Sequence, residues 1–195
     1  MIRPSKPKPV PWSQIHSWDC DACGECCRWF DVPVTIHEYV KICQAHGLGF
    51  IYFRRGEAWL KLQVGKRCIF SAPRNGRWLC SLQEEKPLAC RNWPFRVTKQ
   101  PISASSDAAK YECGEWSCYV YADPRCPTIV HGKPTPDFAD KVVGEFIQIA
   151  LGKTNHQNYS TARGLAYLNI QKSPNPKTTT AHQSLSIWVR SQTLL

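Results

Sequence analysis

Four cysteines fall within eight residues of this chain: Cys20, Cys23, Cys26 and Cys27, in the segment D19-CDACGECC-R28. Whatever the chain folds into must occupy those thiols. Disulfides suit them badly, because a cystine needs its two Cα atoms about 4.4–6.8 Å apart with converging Cβ directions. The chain also has eleven cysteines, an odd number. The N-terminal MIRPSKPKPVPW is positively charged but is followed by neither an apolar stretch nor a small-residue cleavage site, so it does not read as a secretory signal. No stretch approaches the ~20 apolar residues of a membrane span. The expected compartment is the cytoplasm, where thiols stay reduced. Thiolates gathered by a metal are therefore the reading of the segment.

C-x2-C-x2-C is the spacing that gives three thiolates to one [4Fe–4S] cluster, with a fourth ligand from elsewhere in the chain. Two intervening residues let the backbone curl towards the sulfurs, and Gly24 permits the tight turn this needs. Zinc uses C-x2-C equally well, so the spacing leaves the metal open. Consecutive side chains diverge, and two neighbours seldom serve one tetrahedral ion. Cys26 and Cys27 therefore either split between two nearby sites, or one of them stands behind the other.

At 195 residues with 43% hydrophobic content, the chain is long enough for one domain with a core. Residues 1–17 read as an extended Pro- and Lys-rich arm, 18–152 as the cysteine-bearing domain, and 153–195 as a polar tail without acidic residues. T35-IHEYVKICQAH-G47 predicts a helix, with a Thr35/Glu38 capping box and an apolar stripe of Ile36, Tyr39, Val40 and Cys43 facing the core. Cys43 is accordingly a core cysteine rather than a ligand. E57-AWLKLQV-G65 alternates as a strand, with Leu60, Leu62 and Val64 on one face. RCIFSAPRNGRWLCSL reads as two short strands around Arg74-Asn75-Gly76. Pro73 cannot donate to the ladder and so disfavours pairing close to the turn, and a three-residue loop is expected that leaves Cys68 and Cys80 on one face. Pro87 starts a short turn or helix carrying Cys90, which stops before Pro94. Residues 100–110 read as a loop. T135-PDFADKVVGEFIQIAL-G152 is a helix capped by Thr135, with Phe138, Val142, Phe146, Ile149 and Ala150 as its core stripe. The fold class is therefore α+β: a small, loop-rich, metal-stabilised domain with a short antiparallel hairpin and two or three helices.

The motifs C20-DACGECC-R28, RCIF at 67–70, WLCSL at 78–82, KPLACRNWPF at 86–95 and RCPTIVHGKP at 125–134 together resemble the CxxCxxCC family of zinc- or iron-chelating domains. The family usually has Arg-Pro where this chain has Lys86-Pro87. The resemblance implies eight metal-binding cysteines: Cys20, Cys23, Cys26, Cys27, Cys68, Cys80, Cys90 and Cys126. Eight thiolates divide into two sites of four, holding Zn²⁺ or an iron–sulfur (4Fe-4S) cluster. Cys113 and Cys118, in YECGEWSCY, read either as packing residues or as accessory ligands.

The formal charge is +10, with thirteen Lys or Arg against five Asp or Glu in residues 28–100. Two four-thiolate sites at about −2 each bring this to roughly +6, which is unremarkable for a soluble domain. The leading expectation is a metal-binding protein acting as a redox, modification-accessory or assembly component, with a protein partner or larger assembly. Some relatives are linked with lysine methylation of flagellin, but no nucleotide-cofactor fingerprint, Ser-His-Asp arrangement or HExxH occurs here, and no small-molecule substrate or catalytic residue is assigned. The alternative is a zinc-stabilised module binding nucleic acid or ribonucleoprotein through the basic segment and its aromatics, Tyr52, Phe53, Trp59, Trp78 and Trp93.

Overall fold

The computed structural model describes residues 7–29, 31–61, 67–82, 85–102 and 106–159. The chain is α+β, with several small antiparallel sheets and short helices. In order, the elements are β1 (Val10–Pro11), β2 (Ile15–Trp18), α1 (Cys26–Trp29), β3 (Pro33–Val34), α2 (Ile36–His46), β4 (Ile51–Arg54) and β5 (Glu57–Leu60). There follow β6 (Ser71–Arg74), β7 (Arg77–Cys80), α3 (Leu88–Asn92), β8 (Phe95–Thr98), α4 (Ser106–Ala109), β9 (Lys110–Cys113), β10 (Trp116–Ala122) and β11 (Ile129–His131). A π-helical segment, Phe138–Val143, runs directly into α5 (Gly144–Ala150).

Two apolar cores result. The first lies where β10, the hub of a sheet with β1, β8 and β9, meets the paired strands β2 and β11 and the C-terminal helical segment. Its residues include Ile15, Trp18, Phe95, Val120, Phe138, Val143 and Phe146. Thr135 caps that segment as expected, its Oγ1 accepting the Phe138 N–H at 3.2 Å. The π turn was not expected. With more than four residues per turn, Val142 and Val143 are both buried, as are Phe146 and Ile147. The N-terminal stretch adds to this core, since Val10 and Pro11 pair with Ala122 and Tyr121 and Ile15 is fully buried.

The second core gathers Val32, Val34, Ile42, Ile51, Ala58, Leu60, Phe70 and Leu82 beneath the three-stranded sheet β3-β5-β4 and α2. The α2 capping box is present: Thr35 Oγ1 accepts the Glu38 N–H, and the Glu38 carboxylate accepts the Thr35 N–H at 2.8 Å. The direction of its apolar face differs from expectation. Ile42 is the buried residue, whereas Ile36 is 72% and Val40 43% exposed. Tyr39 packs edge-on against Phe53 of β4, so the stripe is only partly covered. Leu62 and Val64 lie outside the described residues. Residues 106–109, expected in a loop, form the short helix α4.

The hairpin β6–β7 corrects the expected turn. Arg74 pairs with Arg77, leaving a two-residue Asn75-Gly76 turn with φ of +49° and +74°. Pro73 is no obstacle, because it sits opposite Trp78 at a position whose nitrogen faces out of the ladder. On the other strand the backbone N–H of Trp78, likewise directed out of the ladder, donates to the Ala22 carbonyl at 2.8 Å. That bond docks the cysteine segment on the hairpin. Arg67 reinforces it: its Nη1 donates to the Gly24 carbonyl at 2.9 Å while its guanidinium lies 3.8 Å from the centre of the Trp78 ring.

Gly24 is pressed into this clamp with φ +74°, and a Cβ there would lie 2.5 Å from Trp78 Cβ and 2.7 Å from Arg67 Nη1. Gly56 has a similar φ of +80° but open space around it. Gly56→Ala should therefore lose only the left-handed backbone preference, about 1–2 kcal/mol, in a denaturant titration. Gly24→Ala should lose measurably more than Gly56→Ala, because the clash adds to the same backbone term.

Candidate metal centre

The cysteines reach one place from five parts of the chain. Cys20 and Cys23 lie on the loop after β2, where Ala22 (φ +59°) and Gly24 both adopt left-handed backbone. The Asp21 carboxylate accepts the Cys23 N–H at 2.9 Å and tightens the loop. Cys26 and Cys27 open α1, with the Cys27 N–H bonded to the Gly24 carbonyl at 3.1 Å. The Cys27 carbonyl in turn accepts the Cys68 N–H at 2.8 Å, which draws the strand entry to the loop. Cys80 ends β7, Cys90 lies within α3 behind Pro87, and Cys126 lies in the turn between β10 and β11.

All eight of these cysteines line a single cavity of about 70 Å³. On the same measure one water needs about 10–15 Å³, so the space exceeds a lone small group several-fold. Cys43, Cys113 and Cys118 are not among its walls. Cys43 packs against the second core, as expected of a core cysteine. Cys113 and Cys118 approach each other to 3.9 Å beside the first core. Cys68 and Cys80, expected to face one site from one face of the hairpin, both line this cavity, but not from one face of the ladder. Cys68 lies outside the hairpin ladder, and a turn closed by the Ser71 N–H on the Cys68 carbonyl at 3.0 Å returns it to the cavity.

The cavity holds thiols in two groups that follow the two cores. Cys20 and Cys126 pack with the first, whereas Cys27, Cys68, Cys80 and Cys90 pack with the second. Cys26 packs with neither core, and its sulfur lies 3.9 Å from that of Cys27. Among the described residues, no three His, Cys, Asp or Glu side chains converge as the ligands of one ion do. The sulfurs surround a space rather than a point.

Burial dominates the electrostatics. It pushes the Cys20 thiol up to about 11 and Cys68 up to about 12, and it raises Cys80 and Cys90 as well. Cys27 moves the other way, to about 6. The Cys26 thiol hydrogen-bonds to it, and the Lys86 and Arg67 charges favour its thiolate. The Ser71 hydroxyl, buried and without a partner at normal hydrogen-bond length, stands near enough to Cys27 to add to this.

Lys86 was not assigned a role from the sequence. It is only 7% exposed and forms part of the cavity wall, a buried cation among thiols. Its charge partly offsets the burial of Cys20, Cys80 and Cys90. Trp18, Trp78 and Trp93 also line the space, so two of the aromatics counted towards a nucleic-acid face belong to this wall instead. Trp59 lies beneath the Arg54 guanidinium, 4.6 Å from its ring centre. No described helix is long and apolar enough to cross a membrane.

The donor chemistry fits a thiophilic metal. Eight sulfurs surround the space, soft ligands of the kind that select zinc and iron–sulfur clusters. A buried cation and a buried hydroxyl stand close to them. No curated protein matches the chain, and no solved structure does. A family match covers residues 19–119, just over half of the sequence, and stops short of Cys126. The chain belongs to the CxxCxxCC family, described as a putative zinc- or iron-chelating domain.

Proposed function

We propose that the chain is an iron–sulfur protein whose cluster-binding thiolates come from Cys20, Cys23, Cys26, Cys27, Cys68, Cys80, Cys90 and Cys126, and that it serves as a redox or assembly component. The observation that carries this reading is the single cavity of about 70 Å³ walled by all eight. Four sulfurs around one zinc ion converge on a point, whereas among the described residues no three such ligands do so and all eight thiols line one space, which favours a multi-atom centre. When bound, a cluster would supply one-electron transfer.

The thiols divide into Cys20, Cys23, Cys26 and Cys126 on one side and Cys27, Cys68, Cys80 and Cys90 on the other. Packing supports the division, since Cys20 and Cys126 belong to the first core and the second group to the other. In this reading the adjacent pair Cys26-Cys27, whose sulfurs lie 3.9 Å apart, supplies one thiol to each centre. Lys86 lies in the shared wall and offsets part of the roughly −2 charge expected of each oxidised four-thiolate centre. A fully thiolate-ligated centre leaves no position for a water nucleophile, which points away from hydrolytic chemistry.

Anaerobic purification followed by a visible spectrum and metal analysis of one sample tests the reading. Broad absorption near ~400 nm with several iron and sulfide per chain is expected for such a centre. A colourless sample with about two zinc ions would replace it with paired structural zinc sites. Substitution then tests the grouping. Cys90→Ser and Cys20→Ser should each lose one centre and retain the other, and Cys43→Ser should keep the full metal complement. Loss of both centres from either single variant would show that the eight thiols serve one indivisible site. Chelation should lower the thermal midpoint, because the cavity separates two cores that metal–thiolate bonds would join.

A further inference from the structure

Trp18 and Cys126 both lie outside the family-matched segment, yet they meet in the cavity wall. The Trp18 indole Nε1 donates to the Cys126 sulfur at 3.2 Å. We infer that Trp18 is a positioning residue for the metal centre, its indole N–H holding Cys126 as a charged ligand. The inference rests on the proposed reading of the cavity as a metal site.

Three observations carry it. The first is chemical: an indole N–H can only donate, and a neutral thiol is a weak acceptor. Trp18 is 5% exposed, so its N–H has forgone water for this bond. A buried donor left with a poor acceptor is destabilising, whereas a metal-bound thiolate, carrying negative charge, is a much better partner.

The second is rigidity. The Trp18 ring meets Phe95 and Phe146 edge-on, each at 5.3 Å between centres, which fixes the direction of the N–H. The third is delivery. Trp18 ends β2 and pairs with Ile129 of β11, three residues beyond Cys126, so one strand pairing brings donor and acceptor together. The Thr128 hydroxyl lies 3.4 Å from the same sulfur but is free to donate or accept, and it fixes no polarity.

Trp12 provides the control. Its Nε1 also makes a long-range hydrogen bond, at 3.0 Å, but to the Lys110 carbonyl, and it does not line the cavity. The metal-loaded full chain would be compared as wild type, Trp18→Phe and Trp12→Phe, measuring metal retention against a graded chelator series and the thermal midpoint. Trp18→Phe should weaken metal retention about 10-fold or more, the usual effect of removing a hydrogen-bond partner of a metal ligand. Trp12→Phe should leave it at the wild-type value even where its midpoint falls. Equal retention in the two variants overturns the inference while leaving the metal centre standing. A wild-type chain that carries no metal removes both readings together. Should Trp18→Phe fail to fold, a bicyclic analogue with sulfur in place of the indole N–H keeps the ring shape. Wild-type retention with that analogue would overturn the inference, and a comparable loss would support it.

Discussion

The bond from the Trp78 N–H to the Ala22 carbonyl, with Arg67 bridging the Trp78 face and the Gly24 carbonyl, is the contact on which the rest of the arrangement depends. A loop carrying four cysteines has no apolar side chains of any size with which to anchor itself; Ala22 and Gly24 are its only residues without a polar or sulfur atom in the side chain. Backbone hydrogen bonds must hold it, and they must be protected from water to count for much. The Trp78 indole and the Arg67 guanidinium stacked on it supply that protection. Gly24 is required because the two walls of the clamp leave no room for a Cβ. Once the loop is seated, the Cys68 N–H finds the Cys27 carbonyl, and the hairpin carries Cys80 to the opposite wall.

Features that depend on neighbours in sequence were legible. The Thr35/Glu38 capping box, the Thr135 cap and the core-directed Phe138, Val142, Phe146 and Ile149 need only a few residues to be recognised, and each is present. Features that depend on direction in space were not. The apolar side of α2 could be listed from its periodicity, but which part faces inwards is decided by β4 and β5, which bury Ile42 and leave Ile36 in the open. The turn at Asn75-Gly76 was misread because Pro73 was taken to oppose close pairing, and its tolerance depends on which edge of the ladder its nitrogen faces. The eight cavity-lining cysteines are the set implied by the resemblance of the ordered motif series to the CxxCxxCC family, not one that local geometry marks out. Lys86 and Trp18 carried no mark of their role. A lysine before a proline and a tryptophan in a strand are commonplace, and only the folded chain reveals that one is buried and the other directed at sulfur.

A buried lysine is ordinarily expensive, since removing an ammonium from water costs several kcal/mol unless an opposite charge stands near. Burial raises Cys20, Cys68 and Cys90 towards the neutral form, whereas Cys27 is drawn towards its thiolate by the Cys26 thiol and by the Lys86 charge. In the proposed reading, further sulfurs held as thiolates would add to the negative charge facing this lysine.

The same reasoning bears on why the cavity lies where it does. Each of the two cores is small, and small cores bury too little surface to be stable alone. The space between them is walled by sulfur on both sides rather than filled by leucine or phenylalanine. An apolar plug would join the cores with contacts worth a few kcal/mol. In the proposed reading, thiolate–metal bonds would join them through strong directional links, so that the cohesion of the fold and the occupancy of the centre would become one equilibrium. In that reading the adjacent pair Cys26-Cys27, with sulfurs 3.9 Å apart, would be where the two groups of ligands meet, joined by a single peptide bond.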